Sequence, residues 1–216
     1  MIEIEKIEAD FIKLISERLL NDDFPVERSF TYTFFYLLVK NCGYQPHELL
    51  LEHPHLPIKK TKKTKVDTYI KNGIIMECKY DRKPKTFSDT TGKSGRIFKD
   101  LFRLASFEDN TKARRWFIYI TDNEMKDHLK NKFNDFFDLE KNKELEINDE
   151  YLKKKDLAST FIKELLGKKK IKDVPEGPIM DSIRKIYGIG DIKIKCILKN
   201  ENLPNEHKIR IYEVIV

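Results

Sequence analysis

The sequence has no long apolar run. None of its apolar stretches approaches the roughly 18 residues that a membrane-spanning helix needs. Residues 1 to 10 alternate apolar with charged side chains, so they lack the basic start and apolar middle of a secretory signal. We therefore expect a cytoplasmic protein without a membrane partner.

Cysteine is also scarce. The three cysteines, Cys42, Cys78 and Cys196, are far apart and form no CxxC pair. This spacing excludes a disulfide framework and a zinc knuckle of the usual kind, so we expect buried, reduced thiols. Charge, in contrast, is abundant: 36 % of the residues are charged and the net charge is +6, which fits a polyanionic partner.

Lysine is most concentrated in one short segment, which contains Lys59, Lys60, Lys62, Lys63 and Lys65. Such a density of like charge is costly unless solvent or phosphate screens it. The segment is therefore interpreted either as a nucleic-acid contact or as a solvated loop.

The apolar periodicity predicts a mixed α/β fold. Helices are expected over residues 3 to 20, from Pro25 to the Cys42-Gly43 exit, from Arg96 to Phe107, from Glu124 to Phe137 and from Leu157 to Leu166. Residues 46 to 65 and 81 to 95 are expected to be loops. Strands are expected at Val66 to Ile70, Ile74 to Tyr80, Trp116 to Ile120, Ile192 to Leu198 and Ile209 to Val216.

The most informative segment is the hairpin around Lys71-Asn72-Gly73. Side chains alternate along a strand, so Glu77 and Lys79 share one face, and Ile74, Met76 and Cys78 face the core. A two-residue loop would turn Asp67 away from Glu77. A three-residue loop, with Gly73 in the left-handed conformation of a bulge, places Asp67 opposite Glu77.

Two adjacent carboxylates raise each other's pKa unless a cation lies between them. Mg²⁺ prefers hard oxygen ligands, so Asp67, Glu77 and the Cys78 carbonyl could hold it, and Mn²⁺ should substitute for it. Lys79 could orient an attacking water or stabilise the charge that develops on a phosphate. The alternative is a hairpin with solvated charges.

Asp67, the sequence Glu77-Cys78-Lys79 and their apolar flanks resemble the motif of the PD-(D/E)xK nuclease superfamily. Val66 stands where the name-giving pattern has proline. The resemblance extends from about Glu27 to Asp122, and it implies a restriction-endonuclease-like mixed sheet flanked by helices and metal-dependent phosphodiester cleavage. Many members carry a further acid on the preceding helix, which Glu27 resembles; compensation of the helix dipole is the alternative.

Our leading expectation is a DNA endonuclease of the type II restriction kind, and a homodimer would let two such sites cut both strands. A repair, recombination or RNA-directed nuclease and a catalytically silent nucleic-acid-binding module remain alternatives. We expect a nuclease core over residues 1 to 138. Residues 139 to 216 would form an accessory segment, a C-terminal helix and β-hairpin extension packed on that core.

Other segments have weaker signals. Arg96, Lys99 and Arg103 would form a basic stripe along a phosphate track, with pairing to Asp100 as the alternative. Glu52 is a further possible metal neighbour. The segment Thr91 to Ser94 lacks the first glycine of a nucleotide-binding loop, and Ile186 to Gly190 is interpreted as a helix C-cap rather than a helix-hairpin-helix motif.

Overall fold

Helices cover both faces of a seven-stranded sheet in the computed structural model. It describes residues 4–21, 27–55, 64–70, 73–81, 87–107, 113–155, 157–167 and 178–216. The α-helices are α1 (Glu8–Leu20), α2 (Glu27–Cys42), α3 (Phe87–Ala105), α4 (Asn123–Phe137), α5 (Asp149–Lys153), α6 (Ser159–Leu165) and α7 (Ile179–Tyr187). Short 3-10 helices lie at Ile4–Lys6, Pro46–Glu48 and Pro204–Glu206.

The strands are β1 (Leu49–His55), β2 (Thr64–Ile70), β3 (Ile74–Asp81), β4 (Arg114–Thr121), β5 (Glu144–Ile147), β6 (Ile192–Asn200) and β7 (Lys208–Ile215). Their order across the sheet is β1-β2-β3-β4-β7-β6-β5. β3 and β4 are parallel and are connected through α3, and the other neighbouring pairs are antiparallel. The predicted mixed α/β architecture is confirmed.

Alternating side chains of the central strands supply two hydrophobic cores. Trp116, Ile118 and Ile120 of β4 pack with α1 and α2, whereas Phe117 and Tyr119 pack with the helices on the other face. Burial on both faces explains the continuous apolar run of β4. As predicted, Ile74, Met76 and Cys78 belong to a core, namely the one that α1 and α2 cover.

Three expectations were wrong. The region 46 to 65 is not all loop, because β1 pairs with β2 there. α3 begins at Phe87, so residues 87 to 95 are helical. The alternation of side chains along β2 predicts Val66 on the same face as Ile70, but Val66 lies in the core of the α3 face and Ile70 in that of the α2 face.

The ends of two helices agree with the sequence. Asp122 caps α4 by accepting a hydrogen bond from the Met125 amide at 2.9 Å. Gly188 ends α7 with a φ of 75°, and strand β6 follows it, so the C-cap interpretation is confirmed. Cys78 and Cys196 are buried free thiols and Cys42 is half-buried. Among the described residues, no helix is long and apolar enough to cross a membrane.

The strands after residue 139 belong to the same sheet as the hairpin. β7 pairs directly with β4, from Arg115 opposite Val214 to Thr121 opposite Lys208. The C-terminal segment therefore completes the central sheet in addition to packing against it.

Candidate active site

The hairpin has the register that the sequence predicts. Thr68 lies opposite Met76 and Ile70 opposite Ile74, which leaves three residues in the loop and makes Asp67 and Glu77 the next residues on the two strands. The left-handed conformation proposed for Gly73 is wrong, because its φ lies outside that region. Space around it is limited: a Cβ at this position would lie 3.2 Å from the Tyr44 hydroxyl, so a larger residue would require the Tyr44 side chain to move by a few tenths of an ångström.

Two carboxylates accept hydrogen bonds from the part of β3 that does not pair with β2. Beyond Met76, the Cys78 amide donates to Asp67 Oδ2 at 2.8 Å, and the Tyr80 amide donates to Glu27 Oε1 at 3.3 Å. The amide and carbonyl of one strand residue point to the same side. The Cys78 carbonyl therefore faces the same edge as the Asp67 carboxylate.

Glu77 is buried beneath α3, where its carboxylate forms a two-point ion pair with Arg103. Arg103 Nε and Nη2 lie 3.2 and 2.6 Å from the two carboxylate oxygens. Only 2 % of the Glu77 side chain is exposed. α3 therefore covers this part of the polar face and separates Glu77 from solvent.

The Glu77–Arg103 pair belongs to a row of opposite charges between β3 and α3. Lys79 Nζ lies 3.9 Å from Asp100 Oδ2, and Lys93 Nζ lies 3.6 Å from Asp81 Oδ1. The pairing runs antiparallel, because positions 77, 79 and 81 of β3 match positions 103, 100 and 93 of α3. We call these six residues the β3–α3 charge row.

Lys79 also joins the charge row to Glu27. Its Nζ lies 3.2 Å from Glu27 Oε1, so the acid at the start of α2 reaches the same point as the predicted catalytic lysine. The structure thus brings Asp67, Glu77, Lys79 and Glu27 together, as the sequence predicts. Glu27 contacts β3 through Lys79 and the Tyr80 amide. Compensation of the helix dipole alone would not require this contact.

The electrostatics of this cluster follow from burial. Burial raises the pKa of Glu77 well above its usual value, although Arg103 opposes the shift and Asp67 adds to it. Burial likewise raises the pKa of Asp67, against the hydrogen bond from Cys78. Burial disfavours the charge on Lys79, but the carboxylates of Asp100 and Glu27 outweigh it and raise the Lys79 pKa. Lys79 is therefore a stable cation at neutral pH.

Asp81 is an acid of the charge row whose burial is only partly compensated. Burial raises its pKa, and Lys79 and Lys93 only partly offset this. Within the part of the chain that the structure describes, its Oδ2 atom has no hydrogen-bond partner. Asp81, Lys93 and the role of Asp100 were missed in the sequence. The signal was present as Asp81 two residues after Lys79, on the same strand face.

The predicted basic stripe of α3 does not form one surface. Arg103 is directed to Glu77 and to Asp100, the latter at 3.2 Å, which confirms the intrahelical alternative for this residue. Arg96 is exposed and lies 3.6 Å from Glu164 of α6. Lys99 is half-buried beside Gly167. Arg103 is thus engaged within the cluster, and contact of Arg96, Lys99 and Arg103 with phosphate stays a prediction.

The lysine-rich segment is not settled by the structure. Lys59, Lys60, Lys62 and Lys63 lie outside the described residues, and so does the side chain of Lys65. Their contact with nucleic acid stays a prediction.

A cavity of about 500 Å³ opens beside this cluster, between α2 and the β1–β2 edge. Its lining includes three acids, Glu27, Glu52 and Asp67, and one base, Arg28. Glu52 forms an ion pair with Arg28 at 2.9 Å. Its φ of 47° is positive, which is unusual for a non-glycine residue. The cavity therefore combines access from solvent with an excess of negative charge.

The donor chemistry of this region fits a magnesium ion. Asp67 and Glu77 supply carboxylate oxygens and Cys78 a backbone carbonyl, and Mg²⁺ keeps several waters when it binds so few protein ligands. Among the described residues, no three acidic, histidine or cysteine side chains already surround one point. The Arg103 guanidinium, bound to both oxygens of Glu77, would have to release at least one of them.

No protein-family model, no curated protein and no solved structure matches this chain.

Proposed function

We propose that the chain is a metal-dependent DNA endonuclease with a PD-(D/E)xK site, of the type II restriction kind, that acts as a homodimer. The observation that supports it best is the convergence of Asp67, Glu77, Lys79 and Glu27 at one edge of β3. A hairpin of solvated charges would not bury Glu77 or direct a helix carboxylate to Lys79.

Asp67, Glu77 and the Cys78 carbonyl would hold Mg²⁺, which would polarise the scissile phosphate and acidify a bound water. The raised pKa of Lys79 keeps its ammonium charged. Lys79 therefore acts as a point cation toward the developing phosphorane charge and not as a general base. Glu27 and Asp100 hold the Lys79 ammonium in place.

Arg103 has two acidic partners, and this matters when Glu77 engages a metal. Asp100 Oδ1 lies 3.2 Å from Arg103 Nη2, so Asp100 can retain the guanidinium at the site after Glu77 releases it. The positive charge would then remain beside the acids that would hold the metal.

The test is cleavage of plasmid DNA, single-stranded DNA and RNA with Mg²⁺, with Mn²⁺ and with EDTA. Asp67→Asn, Glu77→Gln and Lys79→Ala should each lower the rate by about 100-fold or more, as loss of a group that stabilises the transition state does. The two carboxylate variants should also bind Mg²⁺ more weakly, whereas Lys79→Ala should still bind it.

The control is Asp181→Asn, which removes an exposed acid paired with Arg184 on α7. It should cleave at the wild-type rate. Wild-type turnover by all three site variants, or equal cleavage in EDTA, would contradict the proposal. Cleavage of RNA alone would keep the catalytic site and reject the DNA substrate.

A further inference from the structure

The exposed face of α2 carries basic and aromatic residues in a single row. Arg28, Tyr32, Tyr36 and Lys40 follow each other at intervals of four residues, and all four are exposed. Residues four apart lie on the same face of a helix, one turn above another. We call this row the α2 stripe.

The tyrosines of the α2 stripe are not part of the core. Phe30, Phe34, Leu37 and Leu38 of α2 are fully buried, whereas 52 % of Tyr32 and 53 % of Tyr36 are exposed. Two large aromatic rings on one exposed helix face are what base stacking requires. The stripe thus offers two planar apolar surfaces to a ligand.

A basic residue lies at each end of this pair of rings along α2. Lys40 Nζ lies 5.7 Å from the centre of the Tyr36 ring, and Arg28 lies one turn before Tyr32. Arg28 pairs with Glu52, but both side chains are more than half exposed, so this ion pair contributes little and a phosphate can replace Glu52.

The stripe begins at the candidate active site. Arg28 and Tyr32 line the same cavity as Glu27 and Asp67. A strand that lies on the stripe would therefore lead directly to the carboxylates.

We propose that the α2 stripe binds an unpaired strand of DNA, with bases stacked on Tyr32 and Tyr36 and phosphates near Arg28 and Lys40. This inference rests on the proposed nuclease function and adds a second form of DNA to it: an unpaired strand held on the α2 stripe, beside the duplex that the two sites of a dimer would cut. Successive stripe residues are about 6 Å apart along the helix axis. That spacing exceeds the approximately 3.4 Å rise of a stacked strand, so the stripe fits an extended strand with separated bases.

A duplex fits the stripe less well. In a duplex the base faces are occupied by stacking on their neighbours, so exposed side chains reach only groove edges and phosphates. Tyrosine rings would then add nothing to affinity. The stripe should therefore distinguish single strands from duplexes of the same sequence.

The experiment measures binding of labelled oligothymidylate and of a blunt duplex to the full chain in EDTA, by fluorescence anisotropy. Tyr32→Ala and Tyr36→Ala should each weaken single-strand binding about fivefold or more, the effect of losing one stacked base. Tyr32→Phe and Tyr36→Phe keep the ring and should bind like the wild type. Duplex affinity should not change in any of the four.

The cations are tested by the salt dependence. Arg28→Gln and Lys40→Gln should each reduce the logarithmic salt slope of single-strand binding by about 0.7, the value for one phosphate contact. Leu20→Ala, at another exposed apolar position on the neighbouring helix α1, is the matched control and should change neither affinity nor slope.

Unchanged single-strand affinity in both alanine variants would overturn the proposal. So would conversion of a wild-type dimer into a monomer by the double alanine variant in sedimentation analysis, since the stripe would then be an interface between copies of the chain. Because EDTA prevents metal-dependent cleavage, these outcomes are independent of the nuclease test. If the chain cleaves DNA but its single-strand affinity does not depend on the tyrosines, the stripe proposal fails and the nuclease proposal stands.

Discussion

Arg103 neutralises the Glu77 carboxylate, whose charge a metal ion would otherwise neutralise. It forms a two-point contact with a carboxylate that is 2 % exposed and that has a second acid, Asp67, beside it. In their ionised forms, Asp67, Glu77, Asp100 and Glu27 carry four negative charges, and Arg103 and Lys79 carry two positive ones. The cluster therefore retains a need for positive charge, which explains why it could accept a divalent cation.

Arg103→Ala should lower the free energy of unfolding by about 3 kcal/mol in metal-free buffer, because it leaves a buried carboxylate without its partner. Mg²⁺ should restore part of this loss by replacing the missing charge. The control Arg96→Ala removes an exposed cation of the same helix and should change stability by less than about 1 kcal/mol. Denaturant titration with and without Mg²⁺ measures the free energy of unfolding of the two variants. Equal losses in both would show that the contact with Glu77 stabilises the fold no more than an exposed ion pair does.

Asp81 should make stability depend on pH. Its folded pKa is raised, so the stability that it contributes is fully present below its unfolded pKa of about 3.9 and is lost as the pH rises through the folded value. Asp81→Asn mimics the protonated acid. It should be more stable than the wild type at neutral pH, and the difference should vanish as the pH falls toward 4.

Glu150→Gln gives the opposite sign and serves as the control. The hydrogen bond from Lys154 lowers the pKa of Glu150, so the charged form stabilises the fold and the substitution should lower stability at neutral pH. Unfolding midpoints measured at several pH values test both. Parallel pH profiles for Asp81→Asn and the wild type would contradict the sign derived for Asp81.

The elements that local pattern alone specifies were predicted well. The helix from Glu27 to Cys42, the hairpin and the buried strand β4 follow from apolar periodicity and from the parity of the loop. β1 was missed because Pro54 and the histidines beside it resemble loop residues, and because its pairing with β2 is needed to define it. The Asp67–Glu77 pair required only one hairpin, whereas Asp100 and Arg103 required the packing of α3.

The start of α3 was missed because its residues are poor helix formers. Thr90, Thr91, Gly92, Ser94 and Gly95 all favour other conformations. In the fold, Gly95 lets α3 approach α6: a Cβ at this position would lie 2.4 Å from the Phe161 carbonyl oxygen. Close packing of two helices therefore overrides local propensity.

Gly92 and Gly95, one turn apart, separate these two effects. Gly95→Ala should destabilise the protein by about 1–3 kcal/mol, because the helices must move apart. At Gly92 the nearest atom to an added Cβ lies 3.6 Å away, an ordinary contact. Gly92→Ala should therefore stabilise the protein by about 0.5–1 kcal/mol through helix propensity alone. Thermal unfolding of the two variants measures both; stabilisation by both would mean that α6 does not pack against Gly95.

The central sheet joins the two parts of the chain that the sequence separates near residue 139. Pairing of β4 with β7 connects residues almost 100 positions apart, which no local pattern can indicate. Further contacts strengthen this connection. Arg210 Nε donates to the Phe137 carbonyl at 3.1 Å, and the Tyr212 hydroxyl donates to the Phe136 carbonyl at 3.0 Å. Both satisfy carbonyls at the end of α4 that lack helical partners.

A chain that ends at residue 138 should therefore fail to fold, even though it contains every predicted catalytic residue. Without β7, the edge of β4 would expose its backbone hydrogen-bonding groups, and both cores would lose strand residues such as Ile209, Ile211 and Tyr212. We expect the fragment 1–138 to aggregate or to unfold without a cooperative transition. Co-expression with residues 139–216 should restore a soluble complex, because the break falls beside the exposed turn at Lys141 and Asn142. Calorimetry and size-exclusion chromatography distinguish these outcomes. A fragment 1–138 that is monomeric and unfolds with the wild-type midpoint would show that the catalytic region is independent of the C-terminal strands.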